Sequence, residues 1–167
     1  MGKTEENLAA AFAGESQANR KYLAFAKKAD QEGHKPVARL FRAAAAAETV
    51  HAHNHLRVMG GVKSTAENLQ AAINGEHYEF TSMYPAFIKD AQAEKKREAQ
   101  EGFALANKVE AIHHGLYSAA LNALKSGSPM PVVVYYVCQV CGNTVENQAP
   151  EECPICGAPR PNFLKVE

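Results

Sequence analysis

Two stretches of the chain, CQVCG at 138–142 and CPICG at 153–157, hold all of its cysteines. Paired CxxC knuckles present four thiolates to one metal ion, and the glycine after each pair suits a tight turn that aims backbone N–H groups at sulfur. On spacing alone zinc and iron stand level as the occupant. A second chemistry is carried by acids: Glu48-x-x-His51 and Glu110-x-x-His113 each put a carboxylate and an imidazole on one helical face. One such pair is common on exposed helix surface, so its meaning depends on the elements that carry it.

Four long segments show the 3.6-residue apolar period. The first starts at Thr4, an N-cap ahead of Glu5 and Glu6, and runs out near Gly33. The second has Pro36 in its first turn and ends at Gly60 and Gly61. The third follows Ser64, which with Glu67 forms a capping box; it passes a break or kink at Gly75 and reaches the charged run AEKKREAQE. The fourth covers about Gly102 to Leu124 and stops at KSGSP.

Stepping by three and four along each helix gives the stripe expected to face the interior. Leu8, Phe12, Glu15, Asn19, Tyr22 and Ala26 line the first; Val37, Phe41, Ala44, Glu48, His51, His55 and Val58 line the second. Leu69, Ile73, Glu76, Glu79 and Met83 line the third, and Phe103, Ala106, Glu110, His113, Tyr117, Ala120 and Leu124 the fourth. Carboxylates interrupt every stripe, with no Lys or Arg beside them. Left unpaired in a core they would each cost several kcal/mol, so a pair of multiply charged cations, iron or manganese, is the expected partner. One Glu from each of two helices and a Glu-x-x-His from each of the other two is the di-metal carboxylate arrangement. Glu15 precedes Glu48 by nearly the interval that separates Glu76 from Glu110, which reads as two similar hairpins joined by a crossover at TAENLQAAIN. His34, His53 and His114 fall off the stripes, His77 faces out, and His55 reads as a packing or supporting residue. The run Ala43–Ala47 reads equally as helix propensity or as a close approach of helices.

Lys plus Arg and Asp plus Glu balance at 18 each, which gives no footprint for nucleic acid or an anionic membrane. The start, MGKTEENLAAAF, lacks the apolar core of a signal peptide, and a soluble cytoplasmic protein is expected. In that compartment thiols stay reduced, which favours metal over disulfides. SGSPMP at 126–131 reads as linker and VVVYYV as a strand leading into the first knuckle. The expected organisation is mainly α: a four-helix bundle over 1–125, a linker over 126–134 and a small β-rich metal-binding domain over 135–167.

The joint pattern of FAGESQANRKYLAF, ETVHAHNHLRVMGG, NGEHYEFTSMYP, VEAIHH and the closing CxxCG pairs closely resembles rubrerythrin over essentially the whole chain. The resemblance implies a ferritin-like diiron bundle joined to a rubredoxin-like Fe(Cys)4 domain. It implies a peroxidase that reduces hydrogen peroxide to water in oxidative-stress defence, fed by a separate NAD(P)H-coupled reductase or a rubredoxin. Carried over by motif, Glu48 and Glu110 look like bridging carboxylates, Glu15 a terminal ligand of one iron, and Glu76 with His113 terminal ligands of the other. Glu79 and His51 look like the alternative ligands that one iron exchanges on oxidation and reduction, and so like the catalytic pair. Tyr22 and Tyr84 match tyrosines that hydrogen-bond ligand carboxylates, and Cys138, Cys141, Cys153 and Cys156 match the rubredoxin-type iron site, which zinc could also fill.

The helical residues from His113 to Lys125 span about 18 Å, and the chain on to Cys138 can extend about 40 Å. The centres of one chain are therefore expected to lie far apart, and the resemblance implies a head-to-tail homodimer that sets each clip beside the partner's bundle. The rival expectation is a ferritin-like iron-oxidising or iron-binding protein with a structural zinc ribbon, which leaves a redox clip without purpose. A plain helical adaptor leaves the core-facing carboxylates unexplained.

Overall fold

The computed structural model describes residues Gly2–Val166, and the outermost residues of the expected 1–125 and 135–167 spans lie outside the described residues. The chain forms two compact units, Met1–Lys63 and Ser64–Glu167. In the second, the thiolate sheet packs on a helix of the same unit.

Met1–Lys63 is a helical hairpin of α1 (Lys3–Gln31) and α2 (Lys35–Val58). The first helix begins one residue before the expected Thr4, with Gly2 as its cap and the Glu5 carboxylate accepting from the Gly2 N–H. It ends where Gly33 takes φ +82°, and Pro36 opens the second helix. Ala38, Ala45 and Ala52 are buried one heptad apart on α2, with Ala26 and Ala29 of α1 also buried. The alanine run is thus a close-approach seam at Ala45, while Ala43, Ala46 and Ala47 are exposed. A polar lock crosses the seam: the Asn19 Nδ2 donates to the Ala45 carbonyl at 2.7 Å and to Thr49 Oγ1 at 2.8 Å. Val37 and Val58, expected to face inward, are half exposed because the alanines occupy the contact face.

In Ser64–Glu167, α3 (Thr65–Tyr78) opens on the expected capping box of Ser64 and Glu67. The segment expected as a crossover is therefore already helix. Gly75 causes no break; the irregularity falls later, in a π turn over Glu79–Met83 that leads into α4 (Tyr84–Ala93). The charged run splits, with Lys95 in the left-handed region at φ 57° and α5 (Arg97–Ser126) starting before the expected Gly102. Tyr84, Phe87 and Phe103 join α4 to α5 through ring contacts of 5.5 to 6.2 Å. After Gly127 caps α5 in the left-handed conformation, β1 (Tyr135–Cys138) takes the centre of an antiparallel sheet, flanked by β2 (Thr144–Glu146) and β3 (Phe163–Val166). No helix is long and apolar enough to cross a membrane among the described residues.

Ala45 is 1 % exposed, so Ala45→Leu must push the α1–α2 seam apart. It is expected to cost about 2 kcal/mol in urea unfolding followed by circular dichroism, whereas Ala46→Leu on the exposed side stays within about 0.5 kcal/mol.

Candidate metal centres

The four thiols of the terminal sheet converge. Cys138 Sγ lies 3.7 Å from Cys156 Sγ and Cys141 Sγ 3.6 Å from Cys153 Sγ, and all four sulfurs fall within 4.8 Å of one another. Tetrahedral metal–sulfur bonds of about 2.3 Å require neighbouring sulfurs about 3.8 Å apart, so the cage fits a single ion and no disulfide is formed. The two knuckles share one pattern. The Gly142 N–H donates to the Cys138 carbonyl and the Gly157 N–H to the Cys153 carbonyl, each at 2.8 Å, with φ +84° and +75° at the two glycines. A side chain at either position would be strained.

Charge in the cage is prepared by backbone donors. Although burial alone would raise it, N–H groups of Cys156 and Ile155 pull the Cys153 thiol down to about 7. Burial pushes the Cys141 thiol up against a single opposing N–H, that of Asn143. A metal ion bound in the cage would displace the protons these thiols carry. Asn143, only 1 % exposed, ties both knuckles: its carbonyl accepts from the Cys138 N–H at 2.9 Å and its Nδ2 points at Cys153 Sγ at 3.6 Å.

Each helical unit carries one triad of oxygen and nitrogen donors. In Met1–Lys63, Glu15, Glu48 and His51 bring their ligand atoms within 4.8 Å, with His51 Nδ1 at 2.8 Å from Glu48 Oε2. In Ser64–Glu167, Glu76, Glu110 and His113 do the same, with His113 Nδ1 at 2.7 Å from Glu110 Oε2 and 3.9 Å from Glu76 Oε1. The i, i+3 spacing on α2 and α5 makes both contacts. Burial, and then the Glu110 charge, raise the Glu76 carboxyl to about 7. Glu79 stands outside the triad at the head of the π turn; burial and Glu110 raise its carboxyl too. Tyr84 lies within the field of Glu110, Glu79 and Glu76, whereas Tyr22 packs on Phe25 and Phe41. His77 and His114 stack with Phe80. The triads offer hard oxygen plus imidazole, a donor set suited to iron or manganese.

One contact went unforeseen. The thiolate sheet packs on α5 of the same chain, so that Thr144 Oγ1 of β2 meets His113 Nε2 at 3.0 Å. Within this chain the segment after Gly127 folds back and sets β2 against α5 rather than extending away from it.

A family profile described as Rubrerythrin matches residues 6–121, and one described as Rubrerythrin, rubredoxin-like domain, matches 136–163. The chain belongs to the rubrerythrin family. It is 33 % identical to Rubrerythrin-2 of Clostridium acetobutylicum, over 96 % of this chain and 95 % of that one. It is 37 % identical to nigerythrin of Nitratidesulfovibrio vulgaris, over 98 % of this chain and 86 % of the relative. A solved structure of fully reduced, all-ferrous nigerythrin matches with a TM-score of 0.58 at 36 % identity, covering 99 % of this chain and 88 % of that one. The fold class is the expected one, mainly α and ferritin-like, followed by a small rubredoxin-like sheet. The cofactors of this rubrerythrin are non-haem iron: a diiron site served by the Glu and His groups, and an Fe(Cys)4 site in the thiolate cage.

Metal binding must expel the proton that Glu76 keeps below pH 7, so affinity at this triad rises with pH through that value. With zinc already in the thiolate cage, Mn²⁺ titration of the full chain is expected to release about one more proton at pH 6 than at pH 8. Calorimetry in buffers of different ionisation enthalpy measures that difference. Glu76→Gln removes it.

Proposed function

We propose that this rubrerythrin is a cytoplasmic non-haem diiron peroxidase that reduces hydrogen peroxide to water, with electrons entering through the Fe(Cys)4 site. Family membership supports an iron-binding oxidoreductase. The observation that carries the finer reading is the seating of a one-electron thiolate clip directly against an imidazole of an acid–imidazole triad. A structural zinc ribbon has no need of that position.

A ferrous pair, when bound, would supply two electrons to peroxide together and so limit one-electron release of hydroxyl radical. Glu15, Glu48 and His51 provide one share of the ligands and Glu76, Glu110 and His113 the other. Both imidazoles present Nδ1 to the carboxylate beside them, so metal binding puts their remaining proton on Nε2. Burial and the nearby Glu110 raise the Glu79 carboxyl, which makes it the candidate proton source where peroxide oxygen leaves as water. Glu79, an anionic carboxylate, would suit ferric iron, and His51, a neutral imidazole, would suit ferrous iron.

The all-ferrous and partially reduced states of nigerythrin name a relative that moves among iron oxidation states, which supports redox cycling here. An NAD(P)H-coupled reductase or a rubredoxin recharges the clip. We place two copies of the chain in the working assembly, because Leu40, Val50 and Val58 of α2 stay 58 to 68 % exposed in one chain.

Glu79→Ala is expected to retain two irons in the bundle and lose peroxide turnover about tenfold, or 1.4 kcal/mol of transition-state free energy. Full turnover in this variant, checked by coupled NADH oxidation, would remove Glu79 from the reaction. Cys156→Ser is expected to abolish reductase-coupled turnover while the ferrous bundle still consumes peroxide stoichiometrically. Retained coupled turnover would show that electrons enter elsewhere.

A further inference from the structure

A cleft of about 230 Å³ opens between α1 and α2 of Met1–Lys63, and Glu15, Glu48 and His51 do not line it. Drug-sized sites run from roughly 300 to 1,000 Å³, so this one suits a ligand the size of a single amino acid. Its polar groups are of two kinds. Arg20 and His53 make neither an ion pair nor a side-chain hydrogen bond among the described residues, and no carboxylate lines the cleft with them. The Arg20 guanidinium is a planar fork of donors that matches both oxygens of a carboxylate, and the His53 imidazole adds an N–H from α2. The hydroxyls are the reverse. Ser16 Oγ donates to the Phe12 carbonyl at 2.7 Å and Thr49 Oγ1 to the Ala45 carbonyl at 3.1 Å, so each has committed its only proton. Thr49 Oγ1 also accepts from Asn19 Nδ2, which leaves it one lone pair, while Ser16 keeps both. These oxygens have nothing to give an anion and serve only a donor. Phe12, Ala52 and Leu56 supply an apolar wall.

The cleft therefore asks for three features in one small molecule: a carboxylate, a positively charged N–H donor and a short apolar group. We infer that the α1–α2 cleft is a binding site for a free α-amino acid with an apolar side chain, whose carboxylate meets Arg20 and His53 and whose ammonium meets Ser16 and Thr49. A lone phosphate or sulfate would satisfy Arg20 but set its oxygens against the hydroxyl lone pairs. Nothing in the peroxidase reading uses these four residues, so the site stands or falls apart from it. Ser16 and Thr49 directly follow Glu15 and Glu48 in the chain, and an occupant would tie α1 to α2 next to two carboxylates of the triad.

The test is calorimetric titration of the iron-loaded full chain with L-leucine, with isocaproate, which lacks the ammonium, with isoamylamine, which lacks the carboxylate, and with inorganic phosphate. L-leucine is expected to bind with a Kd of about 1 mM or tighter. Each of the other probes is expected to bind at least about tenfold more weakly, because each leaves one set of charge-assisted hydrogen bonds unmade. Arg20 is exposed, so Arg20→Gln leaves the packing of the hairpin intact, which circular dichroism checks. This variant is expected to weaken leucine about tenfold or more. Ser16→Ala is expected to weaken leucine about fivefold while isocaproate binds as before, since only the ammonium meets that hydroxyl. Isocaproate or phosphate binding as tightly as leucine overturns the inference in favour of a simple anion site. Leucine held by the irons instead would bind wild type and Arg20→Gln alike, and that result overturns it too. So does the absence of leucine binding to the wild type at about 10 mM.

Discussion

Carboxylates gathered on the partly buried faces of helices repel one another, and among the described residues no lysine or arginine pairs with Glu48, Glu76 or Glu110. The ion pairs that Glu48, Glu76 and Glu110 make among the described residues are with histidines on ligand positions. In the absence of a cation the charge is reduced by protonation, as at Glu76, whose carboxyl rises to about 7 through burial and the nearby Glu110. A metal pair removes the same charge without the protons. The helical framework is arranged around that requirement: α2 and α5 repeat Glu-x-x-His, α1 and α3 each add one glutamate, and the alanine seam in Met1–Lys63 lets α1 and α2 approach closely enough for Glu15 to meet Glu48.

The thiolate cage solves a different problem with different chemistry. Backbone N–H groups of Cys156 and Ile155 lower the Cys153 thiol, and a left-handed glycine closes each knuckle. The same glycine turn that builds the first knuckle brings the Gly142 carbonyl and Thr144 to α5. Cage and triad therefore share one compact unit.

Much of this was legible in the sequence because it depends on spacing within single elements. Glu48 with His51 and Glu110 with His113 follow from helical periodicity, the knuckles from CxxCG, and the start of α3 from Ser64 and Glu67. What was not legible depends on contacts between elements. The π turn at Glu79–Met83 carries no glycine or proline of its own, and Gly75, which does look like a breaker, stays helical because one glycine costs only about 1 kcal/mol in a helix. Val37 and Val58 read as core by hydrophobicity, yet the smaller alanines take the contact face. Thr144 and Asn143 escaped notice because their partners lie on α5 and across the cage, far along the chain. A polar pair directly after a CxxCG knuckle is the one local signal that pointed to them.

The central claim is that the acid–imidazole triads hold a coupled iron pair, distinct from the thiolate iron, that reacts with peroxide first. Freeze-quench Mössbauer spectroscopy of the full chain reconstituted with ⁵⁷Fe tests it most directly. The account predicts about two irons in a spin-coupled pair for each one in the thiolate site. After one equivalent of hydrogen peroxide the pair should turn ferric while the thiolate iron is still ferrous, and the thiolate iron should follow. Three uncoupled irons, or a thiolate iron oxidised ahead of a pair that remains ferrous, would contradict it.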